Sequence, residues 1–247
     1  LLYNVKMGRL SVVATPIGNL EDITLRAKRI LLETQIIACE DTRHTGNLIN
    51  LLKSKYSQYL TPNPSPNLGE GHRFISIRDF NETTVVDKII LELQTNDVAL
   101  VSDAGTPLIS DPGFKLVRKC KELGLDVVPI PGPNAAITAL SASGLPTNKF
   151  MFLGFLPKKW EIRPEETTII YESPVRIKKT IDDILFRYPS AQIVLAHELT
   201  KIHEEIKLLS TWPLALSPKG EYTILVYRPG DSGQSYPSVD SPAEERN

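Results

Sequence analysis

The sequence contains 247 residues, of which 41% are hydrophobic and 23% are charged, and its formal net charge is −1 at pH 7. This length can bury one large core or two modest ones, and it slightly favours two domains. A net charge near zero excludes a global electrostatic attraction to nucleic acid. An RNA partner would therefore have to be held by local basic patches, or be recognised within a larger particle.

The cysteines and the hydropathy pattern predict where the protein works. Cys39 and Cys120 lie far apart within apolar stretches, which is typical of buried free thiols in a reducing compartment. The sequence has no basic-then-apolar signal segment and no apolar run of the roughly 18 residues that span a membrane. We therefore expect a cytoplasmic protein without a membrane partner.

The first half alternates short β-branched runs with helix-like stretches. This pattern predicts a mainly parallel sheet with helices on both faces. The predicted strands are residues 10–14, 35–39, 74–77, 98–102 and 127–130. The predicted helices are residues 23–32, 41–52, 84–93, 113–123 and 134–141.

The pattern changes near residues 144–146, after which strands outnumber helices. The predicted strands here are residues 150–155, 168–171, 192–196, 204–208 and 222–227, and the predicted helices are 175–186 and a short one at 211–216. We therefore predict an α/β fold with an N-terminal domain at 8–145, a mixed α/β domain at 146–228 and a disordered tail at 229–247. The Pro- and Asn-rich stretch 61–71 is predicted to be a surface loop.

Three loops that contain Gly and Pro follow predicted strands in the first half, at residues 15–19, 102–113 and 131–136. In open α/β sheets, ligands bind outside the carboxyl ends of the strands. Small residues in these loops would let a ligand approach the backbone, and Asp103 offers a carboxylate at a strand tip. Each loop alone can also be a tight connection to a helix, with Asp111 as a helix cap. None of them is a dinucleotide fingerprint or a phosphate-binding P-loop.

Residues 40–44 concentrate charged side chains just beyond an apolar strand. A helix N-terminus capped by Asp41 or Thr42 is one interpretation, but it leaves Arg43 and His44 unexplained. The four histidines show no metal-binding spacing, so we expect no metal site. A serine-hydrolase elbow is also missing from the sequence.

Short basic clusters occur at residues 26–29, 158–159 and 176–179. Each can be a solvated face. Lys158 and Lys159 follow a predicted strand end, and they are the best placed to reach a phosphate backbone.

Eight segments carry a resemblance to a known family. They are TPIGNLEDIT (15–24), EDTRHT (40–45), SDAGTPLISDPG (102–113), PGPNAAITAL (131–140), GFLP (154–157), YESP (171–174), ELTK (198–201) and KGE (219–221). In this order, and over about residues 8–228, they resemble the ribosomal RNA small subunit methyltransferase I family within the tetrapyrrole methylase superfamily.

The resemblance implies a specific activity. Such proteins transfer a methyl group from S-adenosylmethionine to the ribose 2′-hydroxyl of a cytidine in the decoding region of 16S rRNA, within the small ribosomal subunit. They look like two-domain class III methyltransferases that form homodimers, with the cofactor in the cleft between the domains. The residues implied to contact the cofactor are Pro16, Gly18, Asp103, Ala104, Gly105, Thr106, Pro107, Ile109, Pro133, Asn134, Ala135, Phe155 and Leu156.

The chemistry of the implied reaction suggests further residues. A ribose hydroxyl is a poor nucleophile at neutral pH and benefits from a general base; Asp103, Glu40 and His44 are the candidates, in no order. Arg43, Lys158 and Lys159 are candidate RNA contacts. The sequence departs from the family at residues 158–167, where the family usually has a longer basic helix, and at the loop 61–71.

Two other functions fit the same residues. One is a methylase of the same superfamily that acts on a tetrapyrrole or another small substrate. The other is a degenerate, non-catalytic RNA-binding protein.

Overall fold

The structure is a computed structural model that describes residues 7–56, 71–213 and 215–230. Nearly all of the predicted loop 61–71 and of the predicted tail 229–247 therefore lies outside the described residues. Contacts within the chain define two compact units, unit 1 (Leu1–Asn134) and unit 2 (Ala135–Asn247). The domain boundary at residue 145 stays a prediction.

Unit 1 contains a parallel five-stranded sheet with the order β3-β2-β4-β1-β5. Its strands are β1 (Leu10–Val13), β2 (Ile36–Cys39), β3 (Arg73–Ser76), β4 (Val98–Leu100) and β5 (Val127–Ile130). Its helices are α1 (Leu25–Glu33), α2 (Thr42–Tyr56), α3 (Glu82–Glu92) and α4 (Phe114–Glu122). The predicted strands and helices of this region are all present, with ends that differ by about one helical turn at most.

Both faces of this sheet are buried, because successive side chains of a strand point to opposite faces. Ile36 and Ala38 of β2 belong to one apolar cluster, together with residues of α3 and α4. Ile37 and Cys39 belong to a second cluster, together with residues of α1 and α2. Each face is thus covered by one pair of helices, which explains the nearly continuous apolar runs of the strands.

The strand order creates a topological switch point between β1 and β4. These two strands are neighbours in the sheet. The chain leaves β1 through α1 toward β2, and it leaves β4 through α4 toward β5, on the opposite side. The helices that follow β1 and β4 therefore cover opposite faces of the sheet, and the carboxyl edge at which these strands end is the usual ligand position in sheets of this kind.

Unit 2 contains a mixed five-stranded sheet with the order β6-β7-β10-β8-β9. Its strands are β6 (Phe150–Phe155), β7 (Thr167–Glu172), β8 (Gln192–His197), β9 (Glu205–Leu208) and β10 (Tyr222–Tyr227), and its helices are α5 (Ala135–Ala142) and α6 (Ile177–Arg187). Strands β6 and β7 pair in parallel, whereas the other pairs are antiparallel. The predicted mixed α/β character is confirmed.

The short helix predicted at residues 211–216 is wrong. Residues 211–213 form bends, and residues 215–216 have no regular structure. Pro213 cannot donate a backbone hydrogen bond, and it disfavours the helical conformation of Trp212 before it. The Trp212 indole instead donates a hydrogen bond to Asp182 Oδ1 at 2.6 Å, which ties this segment to α6.

Candidate functional site

The three predicted loops of unit 1 contact one another at the carboxyl edge of the sheet. Thr15 and Gly105 exchange two backbone hydrogen bonds, with N···O distances of 2.9 and 3.1 Å. The Thr106 hydroxyl donates to the carbonyl oxygen of Pro133 at 2.9 Å. Loop 102–113 is therefore tied to the loop that follows β1 and to the loop that follows β5. We call residues 15–19, 102–113 and 131–134 the strand-end loops.

Gly105 lies where these three loops meet. Its φ angle is +80°, and a Cβ atom at this position would lie 3.1 Å from Ile17 Cγ2 and 3.5 Å from the carbonyl oxygen of Pro133. Only glycine combines this left-handed backbone with so close an approach at no steric cost. The loops therefore pack backbone against backbone at this point.

Other residues of loop 102–113 also adopt left-handed backbone conformations. The φ angles of Leu108 and Ser110 are 71° and 70°. Non-glycine residues keep such conformations only where the surrounding structure imposes them, and they are common at ligand clamps.

The end of this loop is held from α3. The buried Glu82 carboxylate accepts hydrogen bonds from the backbone amides of Gly113 (3.1 Å) and Lys115 (2.8 Å). Glu82 therefore caps the N-terminus of α4, and the interpretation of Asp111 as its cap is wrong. Asp111 lies before the cap position, which is Gly113.

Asp41 caps α2, as one interpretation of residues 40–44 predicted. Its Oδ1 accepts hydrogen bonds from the backbone amides of Arg43 (2.8 Å) and His44 (3.2 Å), and these bonds lower the pKa of Asp41. The backbone amide of Asp41 in turn donates to Asp103 Oδ1 at 3.0 Å. This hydrogen bond joins residues 40–44 to loop 102–113, two segments that the sequence predicted to belong to the site. The Arg43 side chain is 90% exposed and lies 3.6 Å from the Asp41 carboxylate.

Several acidic side chains lie close together at this edge, and the pKa values of two of them, Glu40 and Asp111, are raised. Burial, followed by the charges of Asp103 and Asp79, raises the pKa of Glu40. Burial also raises the pKa of Asp111 to about 6; a hydrogen bond with Ser102 opposes this rise, and the charges of Glu40 and Asp103 add to it. Sequence reasoning missed Asp111 as a titrating group because burial of an acid in a long loop has no local sequence signal.

Ten predicted cofactor residues lie in the strand-end loops: Pro16, Gly18, Asp103, Ala104, Gly105, Thr106, Pro107, Ile109, Pro133 and Asn134. Gly18, Ala104 and Ile109 are exposed, whereas Gly105 and Pro107 are buried. The edge therefore combines a buried base with two small exposed residues, Gly18 and Ala104, which leave the backbone accessible.

The remaining predicted cofactor residues, Ala135, Phe155 and Leu156, lie in unit 2. Phe155 ends β6 with 54% of its surface exposed, and its ring lies edge-on to Tyr171, 6.3 Å between centroids. The Tyr171 hydroxyl accepts a hydrogen bond from the backbone amide of Ala136 at 3.1 Å. Tyr171 thus connects the first turn of α5, which begins at Ala135, with the end of β6. Leu156 is half-buried against the core of unit 2.

The predicted RNA contacts of unit 2, Lys158 and Lys159, are exposed in a bend after β6. Within the part of the chain that the structure describes, neither lysine forms an ion pair or a side-chain hydrogen bond.

Comparisons with known proteins agree with the observed fold. The family model of tetrapyrrole (corrin/porphyrin) methylases matches residues 9–211. A protein of Halalkalibacterium halodurans named ribosomal RNA small subunit methyltransferase I is 41% identical over 239 residues, which cover 91% of this chain and 77% of that protein. A protein of the same name from Hydrogenobaculum sp. is 47% identical over 206 residues, which cover 80% of this chain and 83% of that protein.

The chain belongs to the ribosomal RNA small subunit methyltransferase I family of tetrapyrrole methylases. The predicted family is thereby confirmed, and membership supports an enzyme of the methyltransferase class.

Solved structures confirm the fold of this family for the chain. Uroporphyrin-III-C-methyltransferase from Thermus thermophilus aligns with a TM-score of 0.58 and 18% identity, over 90% of this chain and 94% of that one. A cobalt precorrin-4 methyltransferase aligns with a TM-score of 0.58 and 14% identity, over 89% and 94% of the two chains. The predicted two-domain α/β methylase fold is therefore confirmed.

Two further segments of the family resemblance meet in unit 2. The Lys201 ammonium group donates to Glu198 Oε1 at 2.9 Å and to Glu221 Oε2 at 2.8 Å. The backbone amide of Glu221 also donates to Glu198 Oε1 at 3.1 Å. These contacts join the turn after β8 to the start of β10, so they hold the unit 2 sheet at one end.

The described ranges contain neither a membrane-spanning helix nor a metal-binding cluster. No helix there is both long and apolar enough to cross a membrane. No group of three or more His, Cys, Asp or Glu side chains there is arranged to hold a metal ion.

Proposed function

We propose that the chain is an S-adenosylmethionine-dependent methyltransferase that acts on the ribose 2′-hydroxyl of a cytidine in 16S rRNA. The observation that carries the proposal is the meeting of the strand-end loops at the β1/β4 switch point, in a chain of this family. We further propose that the protein acts in the cytoplasm as a homodimer, on an assembled or partly assembled small ribosomal subunit.

The strand-end loops are suited to hold the cofactor. Gly105 brings three backbone segments together, and the neighbouring Gly18 and Ala104 expose the backbone. Asp103 offers a carboxylate oriented by the amide of Asp41, and a carboxylate suits hydroxyl or ammonium groups as hydrogen-bond donors. When bound, S-adenosylmethionine supplies an electrophilic methyl group on a sulfonium sulfur. We assign Ala135, Phe155 and Leu156 to further cofactor contacts on the ground of the family resemblance.

The residues of unit 1 also offer a proton acceptor for the ribose hydroxyl. Methyl transfer demands that the attacking oxygen be aligned, and it is assisted when a base removes the proton of the hydroxyl. The raised pKa of Glu40 brings this carboxylate closer to the ideal of a base that titrates near the working pH. Asp103 and His44 remain the other candidates, Asp103 because of its place beside the loops and His44 because it lies in the first turn of α2.

The RNA contacts must be local, since the chain carries a net charge of −1. The exposed Arg43 lies at the start of α2, next to Asp41 and so close to the proposed base. Lys158 and Lys159 offer two exposed cations in unit 2. Because the net charge provides no long-range attraction to RNA, we expect the complete subunit to bind better than a free hairpin of the same sequence.

The experiment is a transfer of tritium from labelled S-adenosylmethionine to small ribosomal subunits that lack the modification. Methylation of a ribose 2′-hydroxyl makes the neighbouring phosphodiester resistant to alkali, so a labelled, alkali-resistant dinucleotide identifies the position. Label that is found only on a tetrapyrrole acceptor, or on no acceptor, would contradict the proposal. Robust methylation of a naked hairpin at the rate seen on subunits would contradict the preference for the assembled particle.

A further inference from the structure

Strands β6 and β7 are joined by an unusual connection. They are parallel neighbours in the sheet, and such pairs normally need a crossover of a dozen or more residues, most often a helix. Residues 156–166, which we call the crossover, contain no helix. Ile162 is fully buried in the core of unit 2, and Leu156 and Trp160 pack against that core. The crossover is therefore anchored by apolar side chains at several points.

An arginine and two aromatic side chains contact one another next to the buried Ile162. The Arg187 guanidinium carbon lies 4.4 Å from the centroid of the Trp160 ring. The Trp160 and Tyr188 ring centroids are 6.4 Å apart, and the Tyr188 hydroxyl accepts a hydrogen bond from the backbone amide of Ile162 at 3.2 Å. The Arg187 guanidinium therefore lies on the face of the Trp160 indole, and Tyr188 lies beside that indole. These contacts hold the Arg187 side chain in place at the end of α6.

The Arg187 guanidinium group is free to contact a further group besides Trp160. Its side chain is exposed, and no carboxylate of the described ranges forms an ion pair with it. A guanidinium group is planar and weakly hydrated, so that it can stack on an aromatic ring and still receive a second planar group on its outer side. Unpaired nucleobases stack on arginine planes in this way. An arginine already held by tryptophan loses little conformational freedom when the base arrives.

The charges around Trp160 suit a phosphate backbone. Lys158, Lys159 and Arg163 are exposed in the same segment, and none of them is in an ion pair with another described residue. Glu161 is the one acidic residue between Lys158 and Arg163. The other two acids of the crossover, Glu165 and Glu166, lie at its far end, where the backbone amide of Glu165 bonds to the carbonyl of Arg228. Aromatic rings interleaved with cations are the usual surface for single-stranded nucleic acid.

We propose that the crossover and Arg187 form a contact surface for single-stranded RNA. Arg187, held over Trp160, stacks against an unpaired base, while Lys158, Lys159 and Arg163 contact the flanking phosphates. A duplex would not serve, because its bases are stacked on one another and its deep groove excludes side chains. The inference rests on the proposed function, and it specifies how the RNA substrate is gripped in unit 2.

The test uses the chain's own fluorescence. The sequence contains two tryptophans, Trp160 and Trp212, so Trp212→Phe leaves Trp160 as the single reporter. Titration of this variant with an unpaired RNA of about ten nucleotides should give a saturable change in its emission that weakens with salt. A flat titration would overturn the proposal. If Trp212→Phe does not fold, anisotropy of the labelled RNA with the wild-type chain and the Arg187 variants replaces this measurement.

Substitutions of Arg187 separate stacking from simple charge attraction. Arg187→Ala should weaken RNA binding by about tenfold, which is typical of the loss of one stacked base, and Arg187→Lys should lose nearly as much because an ammonium group is not planar. Arg118→Ala, which removes an exposed arginine from α4, is the matched control and should bind like the wild type. Full rescue by Arg187→Lys, or an equal loss in Arg118→Ala, would overturn the stacking role.

Failure of this inference is distinguishable from failure of the proposed function. If the wild-type chain methylates small subunits but Arg187→Ala binds RNA normally, the inference fails and the proposed function stands. If the Arg187 series behaves as expected but the wild-type chain transfers no methyl group to small subunits, the RNA surface is supported and the proposed function fails.

Discussion

The backbone amide of Asp41 donates a hydrogen bond to Asp103 Oδ1 at 3.0 Å. Since Asp41 also caps α2, one residue joins the N-terminus of that helix to loop 102–113. The orientation of the Asp103 carboxylate is therefore set by the ends of β2 and β4, which are neighbouring strands. A rigid sheet edge of this kind is a suitable base for positioning a ligand.

We expect a substitution of Gly105 to reduce the affinity for the cofactor more than it reduces the stability of the fold. Gly105→Ala places a Cβ 3.1 Å from Ile17 Cγ2 at a φ of +80°, and we expect it to abolish tight binding of S-adenosylmethionine in calorimetry. Gly124→Ala is the control, since Gly124 has a φ of +69° and nothing within 4 Å of the added Cβ.

The left-handed backbone should cost both alanine variants roughly 1–2 kcal/mol of stability, and Gly105→Ala should lose more because the Ile17 side chain must move away from the added Cβ. Only Gly105→Ala should lose cofactor affinity. Wild-type affinity in this variant would remove the strand-end loops from the proposed site.

The Glu82 carboxylate should be a major support of loop 102–113. Glu82→Ala leaves the buried amide of Gly113 and the partly buried amide of Lys115 without their acceptor, so we expect the free energy of unfolding to fall by about 2 kcal/mol. Glu82→Gln keeps an oxygen acceptor and should lose less. Denaturant unfolding followed by circular dichroism measures both, and Asp87→Ala, at an exposed position of α3, should behave like the wild type. Equal losses in the two Glu82 variants would argue against the capping role.

Much of the architecture is predictable from local patterns, and the differences have physical causes. The apolar runs of β2 and β4 predict buried parallel strands, and this topology alone places loops 15–19 and 102–113 at one edge. The cap of α4 is not predictable in this way, because Glu82 lies 31 residues before Gly113 in the sequence and leaves no local signal. The wrong prediction of a helix at 211–216 could have been avoided, because Pro213 disfavours the helical conformation of the residue before it.

The half-buried acid Asp111 should make the protein less stable as the pH rises. The pKa of Asp111 is raised to about 6, so the folded state holds its proton more tightly than the unfolded state does. Ionisation of Asp111 therefore destabilises the fold as the pH rises from about 4 to 6, and the full effect persists above pH 6. We expect Asp111→Asn to be more stable than the wild type at pH 8, and this advantage to disappear near pH 4.

Thermal unfolding of both proteins between pH 4 and pH 8 measures this difference. Asp87→Asn, an exposed acid on α3, is the control and should show no such trend. A stability difference between Asp111→Asn and the wild type that stays constant over the whole range would contradict the assigned burial of Asp111.

The two lysines after β6 should determine how strongly substrate binding depends on salt. Lys158→Gln with Lys159→Gln removes two exposed charges without introducing repulsion, and each lost phosphate contact lowers the slope of log K against log salt by roughly one unit. We therefore expect weaker binding to small ribosomal subunits, a slope reduced by about two units, and unchanged affinity for S-adenosylmethionine. Filter binding at several salt concentrations measures the slope, and calorimetry measures the cofactor affinity.

The matched control is the pair Lys178→Gln with Lys179→Gln, which removes the same charge from the exposed side of α6. Lys178 already lies 3.7 Å from Asp182, so a phosphate contact there would have to compete with that ion pair. We expect this control to keep the wild-type slope. If the control lowers the slope and the Lys158/Lys159 variant does not, the phosphate contacts lie on α6, and the lysines after β6 are solvated side chains without a role in binding.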